Sequence, residues 1–596
     1  MQSVAAYISK KKEIFLLVLV FILALFLRLL HMLLRDGYMD FDEAFYLLLA
    51  RNLVEGKGYT LNGLPHLSFS PLLPLFLAAY RLILGTFAGA TKIVAIFFGA
   101  ALIWPMYLLN KEWFGRRCAF YAATTAALLI QLMTFVPFKL PSRKMLYVAS
   151  EPLYLFLIYW SLYVAWAGFK KGKLWFWALS GGILGAAFLA RSEAVLVFFS
   201  LEGLLAICLF SRKYSKWKTL AALGLMGGSF FLLFFPFTLR TLYYTGSWTV
   251  SVKMKGGVES RIRWTKDILL HNRWDRVLNS VEALDESGTE MENILWGVKK
   301  DVKYESSQGG LIIDNLKSLI RHLPTSIHLY RKGLMWVLFP LYLWPLAALG
   351  FILSLVKGDF CKLKKPEPQN LVQKVPRHHF FLRVGFALCL IGPSLVLAGF
   401  FYLTPRYHLF IVPLLVSWAG LGLCWTEEKW AKVMQKIRVK GLASWCTRWL
   451  KFLPPILVFS VLLYSNLLPA VQMGQKEKRE LLVAEARACA QAGSFIERKG
   501  GKGVIFMSHH PQIGVLSNCD WRVLPRAPID KVLNYARLKK ARFLVFFVAD
   551  VPDAPGSLPP YLPLRKITYT DHRYGEAALL IYEVKGPRLA GYFSCP

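Results

Sequence analysis

The sequence predicts a polytopic α-helical membrane protein, and three observations carry that prediction. Hydrophobic residues make up 56% of the 596 residues and charged residues only 18%, whereas soluble chains average about 45–50% and about 25%. Apolar runs of membrane-spanning length recur along the chain. Polar residues are concentrated between these runs. This hydropathy excludes a disordered chain and a soluble nucleic-acid-binding protein, although the net charge is +36.

The first span is predicted at 14–34, directly after the cluster Lys10-Lys11-Lys12. No small-residue cleavage site follows, so we expect an uncleaved span rather than a signal peptide. Lysines beside a span favour a cytoplasmic N-terminus. Further spans are predicted at 68–86, 91–110, 117–136, 146–167, 174–190, 193–210, 219–239, 333–356, 381–402, 406–424 and 452–470.

Basic clusters between these runs predict the orientation. The clusters at 212–218, 357–377 and 429–451 belong on the cytoplasmic face by the positive-inside rule. Loop 240–332 and the C-terminus then lie outside only if 174–210, interrupted at Arg191-Ser192-Glu193, forms two half-helices with one net crossing. The prediction is about 11–12 transmembrane segments in a domain covering 1–472, with outside loops at 35–67 and 240–332.

The C-terminal segment, 473–596, has the pattern of a small extracytoplasmic α/β domain. Apolar runs predict strands at 504–507, 544–548 and 579–584, and helices are predicted at 476–498 and 530–538. No glycine-rich phosphate-binding motif occurs there. The nine cysteines contain no CxxC pair, so no structural metal site is predicted.

The first outside loop holds the densest chemical signal. Asp40, Asp42 and Glu43 place three carboxylates within four residues, directly after the first span. An N-cap and a first-turn acid explain two of them. Clustered carboxylates also suit a general base or ligands for a divalent cation, and both alternatives stay open. Residues 43–55 predict an amphipathic helix lying at the membrane surface.

Several short motifs, in this order, resemble the membrane-embedded C-type (GT-C) glycosyltransferases. The resemblance covers roughly residues 10–420, and its nearest branches are the protein O-mannosyltransferases and the aminoarabinose transferases of lipid A. The motifs are Asp42-Glu43-Ala44-Phe45-Tyr46 through Ala50-Arg51, Ser150-Glu151-Pro152-Leu153-Tyr154, Leu189-Ala190-Arg191-Ser192-Glu193, and Arg406-Tyr407 with Pro413.

The resemblance implies transfer of a monosaccharide from a polyprenyl-phosphate carrier to a glycan, lipid or protein acceptor outside the cytoplasm. It implies a GT-C fold, with Asp42 as general base and inversion at the anomeric carbon. Asp40 or Glu43 would position the acceptor or a divalent cation, and no metal ligand set is assigned. The donor phosphate would be bound by Arg406, Tyr407, Arg191 and His66, and the acceptor by Arg51 and Arg240.

At two places the sequence departs from the patterns of these two branches, which weakens its assignment to either branch. Residues 65–71 lack the lysine that the aminoarabinose enzymes carry there, and His66 can replace it only when protonated. Loop 240–332 is too short for the β-trefoil insert of the O-mannosyltransferases. The basic and tryptophan-rich start of that loop suits anionic membrane lipids. No nucleic-acid partner is predicted.

Two other function classes remain as alternatives. A transporter or a flippase of lipid-linked sugars would carry inverted repeats and broken spans, but the chain shows no internal repeat and its acidic cluster lies in a surface loop. A non-catalytic membrane scaffold would use the C-terminal domain to bind a partner, and its loop carboxylates would be dispensable.

Overall fold

The computed structural model describes most of the predicted spans and most of the C-terminal segment. The chain folds into two compact units. The helical unit comprises 1–33, 92–237 and 307–470, and the mixed unit comprises 34–91, 238–306 and 471–596. The described residues are 2–34, 39, 41–129, 135–136, 146–147, 150–208, 215–246, 284, 287, 339–356, 377–400, 405–436, 450–472, 476–547 and 579–584.

Helices dominate the described part of the chain, and most of the strands belong to the mixed unit. The helices are α1 Gln2–Leu34, α2 Phe41–Val54, α3 Leu72–Leu84, α4 Ala90–Ala101, α5 Ile103–Phe114, α6 Arg116–Leu128, α7 Glu151–Lys171, α8 Trp175–Ala190, α9 Ala194–Ile207, α10 Lys216–Thr245, α11 Trp344–Val356, α12 Arg377–Phe400, α13 Val412–Lys436, α14 Leu453–Gln472, α15 Lys476–Gly500, α16 Pro511–Val515 and α17 Ile529–Leu538. The strands are β1 Thr60–Leu61, β2 Leu64–Pro65, β3 Phe135–Val136, β4 Leu146–Tyr147, β5 Ile505–Ser508, β6 Asp520–Val523, β7 Phe543–Phe547 and β8 Leu579–Glu583.

The predicted polytopic helical fold is confirmed. Among the described residues, six apolar helices are long enough to cross a membrane and five more are 10–17 residues long. Every predicted span contains one of the helices. One run is shorter than expected, because α6 ends at Leu128 and Phe135–Val136 pairs with Leu146–Tyr147 as two antiparallel strands. The predicted break at Arg191 is present between α8 and α9, while the number of crossings stays a prediction.

Close backbone contact holds part of the helical unit together. Helix α11 packs along α13, and the two helices meet at glycines. A Cβ atom on Gly350 would overlap the Trp418 carbonyl oxygen, and one on Gly422 would overlap that of Leu346. Small residues allow such approach where lipid removes most of the hydrophobic driving force between helices. Substituting either glycine would therefore force α11 and α13 apart.

The mixed unit is built on a four-stranded sheet in the order β6-β5-β7-β8. Strand β5 is parallel to β6 and to β7, and β8 closes the edge antiparallel to β7. Successive side chains of β5 enter opposite cores: Phe506 packs with the α15 side and Met507 with the α17 side. The α/β character predicted for the C-terminal segment is confirmed, and β6 and α16 are additional to the prediction.

Helix α2 completes one face of this sheet. Phe45, Leu48 and Leu49 pack in a core with Phe506 and Trp521, and every residue from Glu43 to Ala50 is buried. Helix α3 packs against α2 as well. The expectation that the apolar stripe of this helix faces lipid is therefore wrong, while its location at the membrane surface stays a prediction. The apolar stripe found in the sequence is real, but its partner is protein rather than lipid.

A two-residue turn joins β1 to β2. Asn62 and Gly63 both have positive φ, 56° and 76°, which is the type I′ geometry that Asn-Gly favours. Helix α10 continues to Thr245, so the long loop predicted from residue 240 begins later in the chain. The remainder of that loop lies outside the described residues except for Gly246, Leu284 and Ser287.

Candidate functional site

The candidate site lies at the N-terminus of α2. Asp42 and Glu43 occupy its first turn, where the helix dipole favours negative charge. Glu43 is buried and accepts a hydrogen bond from the Thr91 hydroxyl group, whereas Asp42 is half-buried. Asp42 is thus the more accessible carboxylate of the pair. Asp40 lies outside the described residues, and its role stays a prediction.

Arg240 connects the end of α10 to the hairpin that follows α2. Its guanidinium group donates to the carbonyl oxygens of His66 at 2.6 Å and Tyr59 at 2.9 Å. The guanidinium carbon also lies 5.3 Å from the centroid of the Tyr59 ring, within reach of a cation–π contact. These contacts make Arg240 a positioning residue for the hairpin. Its predicted role in acceptor binding stays a prediction.

His66 is fully buried beside this hairpin. Its Nε2 atom accepts a hydrogen bond from the Phe69 backbone N–H at 3.0 Å, and its ring stacks on that of Phe69 with centroids 5.2 Å apart. An imidazole nitrogen that accepts a hydrogen bond carries no proton of its own, so the ring is neutral in this arrangement. This geometry opposes the protonated state that binding of the donor phosphate by His66 requires.

Arg51 lies near the other end of α2 and binds backbone carbonyls. Nη1 donates to Gly514 at 2.7 Å and Ser517 at 2.9 Å, and Nη2 donates to Cys519 at 2.8 Å. The side chain also lies close to Glu55 and Asp520. These bonds tie α2 to α16 and to the segment between α16 and β6. The acceptor role predicted for Arg51 would have to use the same donor groups.

Arg191 belongs to the helical unit and forms a buried ion cluster there. Its guanidinium group donates to Glu151 at 2.5 Å and to Glu193 at 2.8 Å, and it also contacts the Ser150 hydroxyl at 3.2 Å. Glu151 begins α7, with a proline in the first turn, as expected for a helix start. Among the described residues, two carboxylates already contact this one cation, which disfavours phosphate binding by Arg191.

Arg406 and Tyr407 lie in a short 3-10 helix, Pro405–Ile411, that leads into α13. Their side chains lie outside what the structure describes, so their predicted contacts with the donor phosphate stay predictions. Within the described part of the chain, no three His, Cys, Asp or Glu side chains are grouped to hold a metal ion. The divalent cation considered from the sequence stays an open alternative.

Three features of the mixed unit escaped the sequence interpretation. Thr91, the partner of Glu43, follows a glycine-containing turn and carries no local signal of its role. The hairpin has a recognisable signal, because Asn62-Gly63 favours a type I′ turn. Strand β6 also has a recognisable signal in the sequence, since polar and apolar residues alternate along Asp520-Trp521-Arg522-Val523 with the period of two typical of a half-buried strand. Their burial in the structure alternates in the same way.

Comparisons with known proteins identify the fold. No family model matches the chain, and neither does any curated protein. Among solved structures, the chain is similar to the oligosaccharyltransferase of Archaeoglobus fulgidus tethered to an acceptor peptide containing the NVT sequon. The TM-score is 0.52 at 12% identity, over 91% of this chain and 70% of that one.

A second solved structure, ArnT from Cupriavidus metallidurans bound to undecaprenyl phosphate, aligns over 96% of this chain and 99% of that one at 13% identity. Its TM-score is 0.49. The likeness to the oligosaccharyltransferase, at 12% identity, establishes the fold and leaves substrate and partners open. The chain has the GT-C fold of polytopic membrane glycosyltransferases.

Proposed function

We propose that the protein is a membrane-embedded glycosyltransferase that moves a monosaccharide from a polyprenyl-phosphate carrier to an acceptor outside the cytoplasm. The observation that supports this most is the fold shared with an oligosaccharyltransferase over 91% of the chain. The donor class rests on the sequence resemblance. The outward orientation rests on the distribution of basic residues, which favours an extracytoplasmic first loop and C-terminus.

Asp42 is the proposed general base. It would accept the proton of the acceptor hydroxyl as that oxygen attacks the anomeric carbon from the side opposite the phosphate. The bond between the anomeric carbon and the phosphate oxygen breaks in the same step, so the configuration inverts. A base must lie within hydrogen-bonding reach of the proton that it removes. The half-buried position of Asp42 at the start of a buried helix supports this role.

Glu43 is proposed to hold the first turn of α2 in place. Its carboxylate accepts a hydrogen bond from the Thr91 hydroxyl, so it links α2 to the start of α4.

The departing phosphate gains a second negative charge, which cationic donors would stabilise. Arg406, with Tyr407, is proposed for that task. Arg191 is less suited to it, because two carboxylates already neutralise its charge.

The test uses the full-length protein purified in lipid nanodiscs. Radiolabelled polyprenyl-phosphate sugars are added with a membrane extract, and the labelled product is identified. Asp42→Asn should reduce the rate of sugar transfer by about 10²–10⁴-fold, the usual contribution of a general base. Asp530→Asn, the same substitution at an exposed position of α17, is the matched control. Thermal unfolding of both variants should match that of the original protein.

Near-normal turnover by Asp42→Asn would overturn the assignment of the base. The anomeric configuration of the product, measured by NMR, tests inversion. A flippase would instead move the intact lipid-linked sugar across proteoliposomes without forming a new product. A scaffold would do neither, so the same labelled donor separates the three function classes.

A further inference from the structure

The mixed unit contains a cavity of 350 Å³. It lies between the C-terminal half of α2, the β1–β2 hairpin and β6. Its polar lining includes Arg51, Asn52, Lys57, Asn62, Asp520 and Arg522. Ligand pockets span roughly 300–1,000 Å³, so this cavity is at the small end and suits a group about the size of one sugar ring.

The charges around the cavity are unbalanced. Three cationic side chains and a single carboxylate, that of Asp520, line it. The Asp520 carboxylate is paired with Lys57, whose ammonium group lies 2.7 Å from it. Lys57 also pairs with Glu55 at 3.0 Å. Arg51 is engaged by three backbone carbonyls. Arg522 is the lining cation for which the described residues provide no ion pair.

The Arg522 guanidinium group has more N–H donors than the described residues around it supply acceptors. Of the five N–H donors that a guanidinium group presents, one reaches a described acceptor, the Trp521 carbonyl oxygen at 3.2 Å. The group lies against Gly63, where a Cβ atom would stand only 2.6 Å from Nη2. Burial lowers the pKa of Arg522, opposed by Asp520 and Tyr535, yet a guanidinium stays charged at neutral pH. A partly buried cation short of acceptors favours an anionic ligand.

Two amides beside Arg522 extend this chemistry to sugar hydroxyls. The Asn62 carbonyl oxygen accepts from the Val523 backbone at 3.0 Å, which leaves its amide N–H donors for a ligand. Asn52 shows the opposite arrangement, because its amide nitrogen donates to the Thr60 carbonyl at 2.8 Å and its side-chain oxygen has no described donor. A donor and an acceptor beside a cation match a sugar ring that carries an acidic group.

We propose that this cavity binds an anionic sugar residue, with its carboxylate or phosphate on Arg522 and its hydroxyls on Asn52 and Asn62. Arg51 follows Asp42 by nine residues of α2, which corresponds to about 14 Å of helix rise, farther than one sugar ring spans. The bound residue is therefore a part of the acceptor remote from the reacting hydroxyl. This assignment to the acceptor rests on the proposed function, whereas the binding itself does not.

Binding is measured by calorimetry on the nanodisc-embedded protein, with glucose 6-phosphate, glucuronic acid, glucose and inorganic phosphate as probes. We expect saturable binding of at least one acidic sugar, tighter than that of glucose or of inorganic phosphate. Arg522→Gln should weaken it at least tenfold. Arg537→Gln removes the same charge from an exposed position of α17 and should leave it unchanged.

A second measurement needs no variant and so does not depend on how Arg522→Gln folds. Phenylglyoxal modifies accessible guanidinium groups, and peptide mass spectrometry reports each site. The bound acidic sugar should protect Arg522 and not Arg537. The inference is overturned if neither acidic sugar binds, if inorganic phosphate binds as tightly as both, if Arg522→Gln binds within twofold of the original protein, or if Arg522 is not protected.

The two proposals fail separately. Asp42→Asn should reduce the rate of sugar transfer by about 10²–10⁴-fold and leave binding in the cavity intact. Arg522→Gln should raise the KM for an acidic acceptor and preserve kcat. Binding without any transfer activity would overturn the proposed function alone. Transfer without binding of an acidic sugar would overturn the cavity assignment alone.

Discussion

The contacts of Arg51 lead to the most quantitative prediction, for the substitution Arg51→Ala. Three hydrogen bonds of 2.7–2.9 Å join its guanidinium group to the Gly514, Ser517 and Cys519 carbonyls. A hydrogen bond to a charged group contributes about 1.5–3 kcal/mol, so three at the low end total about 4.5 kcal/mol. Water entering the vacated space would hydrate the carbonyls, and we therefore expect a loss of about 3 kcal/mol.

Native-state hydrogen exchange is the suitable assay, because it reports the opening of one compact unit. A loss of about 3 kcal/mol corresponds to about a 150-fold increase in the opening equilibrium, at about 1.36 kcal/mol per decade. Amides of α2 and of residues 511–523 should exchange faster by that factor. Arg51→Lys should recover only part of the protection, since an ammonium group cannot reproduce the planar fork. Arg537→Ala, exposed on α17, should stay within about 0.5 kcal/mol.

Protection in Arg51→Ala within threefold of the original protein would refute this reasoning. If that variant kept its protection while the KM for the acceptor rose, the sequence-based role in acceptor binding would be supported instead. A parallel loss of protection and of transfer would indicate that Arg51 acts through the position of α2, because Asp42 and Glu43 lie on the same helix.

Two further predictions concern buried groups. Arg191→Met should lower stability by about 3–5 kcal/mol, because it removes a cation that the buried carboxylates of Glu151 and Glu193 both contact. Retention of folded protein after heating measures this loss, and adding Glu151→Gln and Glu193→Gln should recover part of it. Unchanged heat resistance of the single variant would contradict the prediction. Burial raises the pKa of the Cys519 thiol, so it should stay protonated at about pH 8 and react with iodoacetamide far more slowly than a free cysteine. Since the folded pKa lies above the unfolded one, this contribution to stability is present below about pH 8.5 and is lost as the pH rises further. Arg51→Ala should speed the alkylation, and a rate equal to that of a peptide thiol in the original protein would count against the prediction.

Hydropathy and charge were sufficient to predict the architecture. A span must be apolar for about 20 residues whatever its neighbours are, so every predicted run contains a helix, although Phe135–Val136 and Leu146–Tyr147 within two of the runs form strands. The interruption at Arg191 was also visible, because ionisable residues are costly within a span. The three C-terminal strands were recognisable as short apolar runs bounded by turns.

The partners of the polar side chains could not be read from the sequence. Arg51 and Gly514 are 463 residues apart along the chain, and Glu43 and Thr91 are 48 apart. A helical stripe such as Phe45, Leu48 and Leu49 shows that one face is buried, yet lipid and protein both satisfy it. For that reason the sequence did not show that the apolar stripe of α2 packs on protein and not on lipid.

The sequence alone therefore determined that the chain crosses a membrane many times, and where its acidic cluster lies, because hydropathy and residue identity are local properties. Tertiary structure alone decided that α2 is a core helix of the α/β unit, that Arg51 and Arg240 bind carbonyls, and that Arg522 lines a cavity. These depend on which distant backbone groups are left without partners after packing, and each buried polar group must be satisfied where the fold places it.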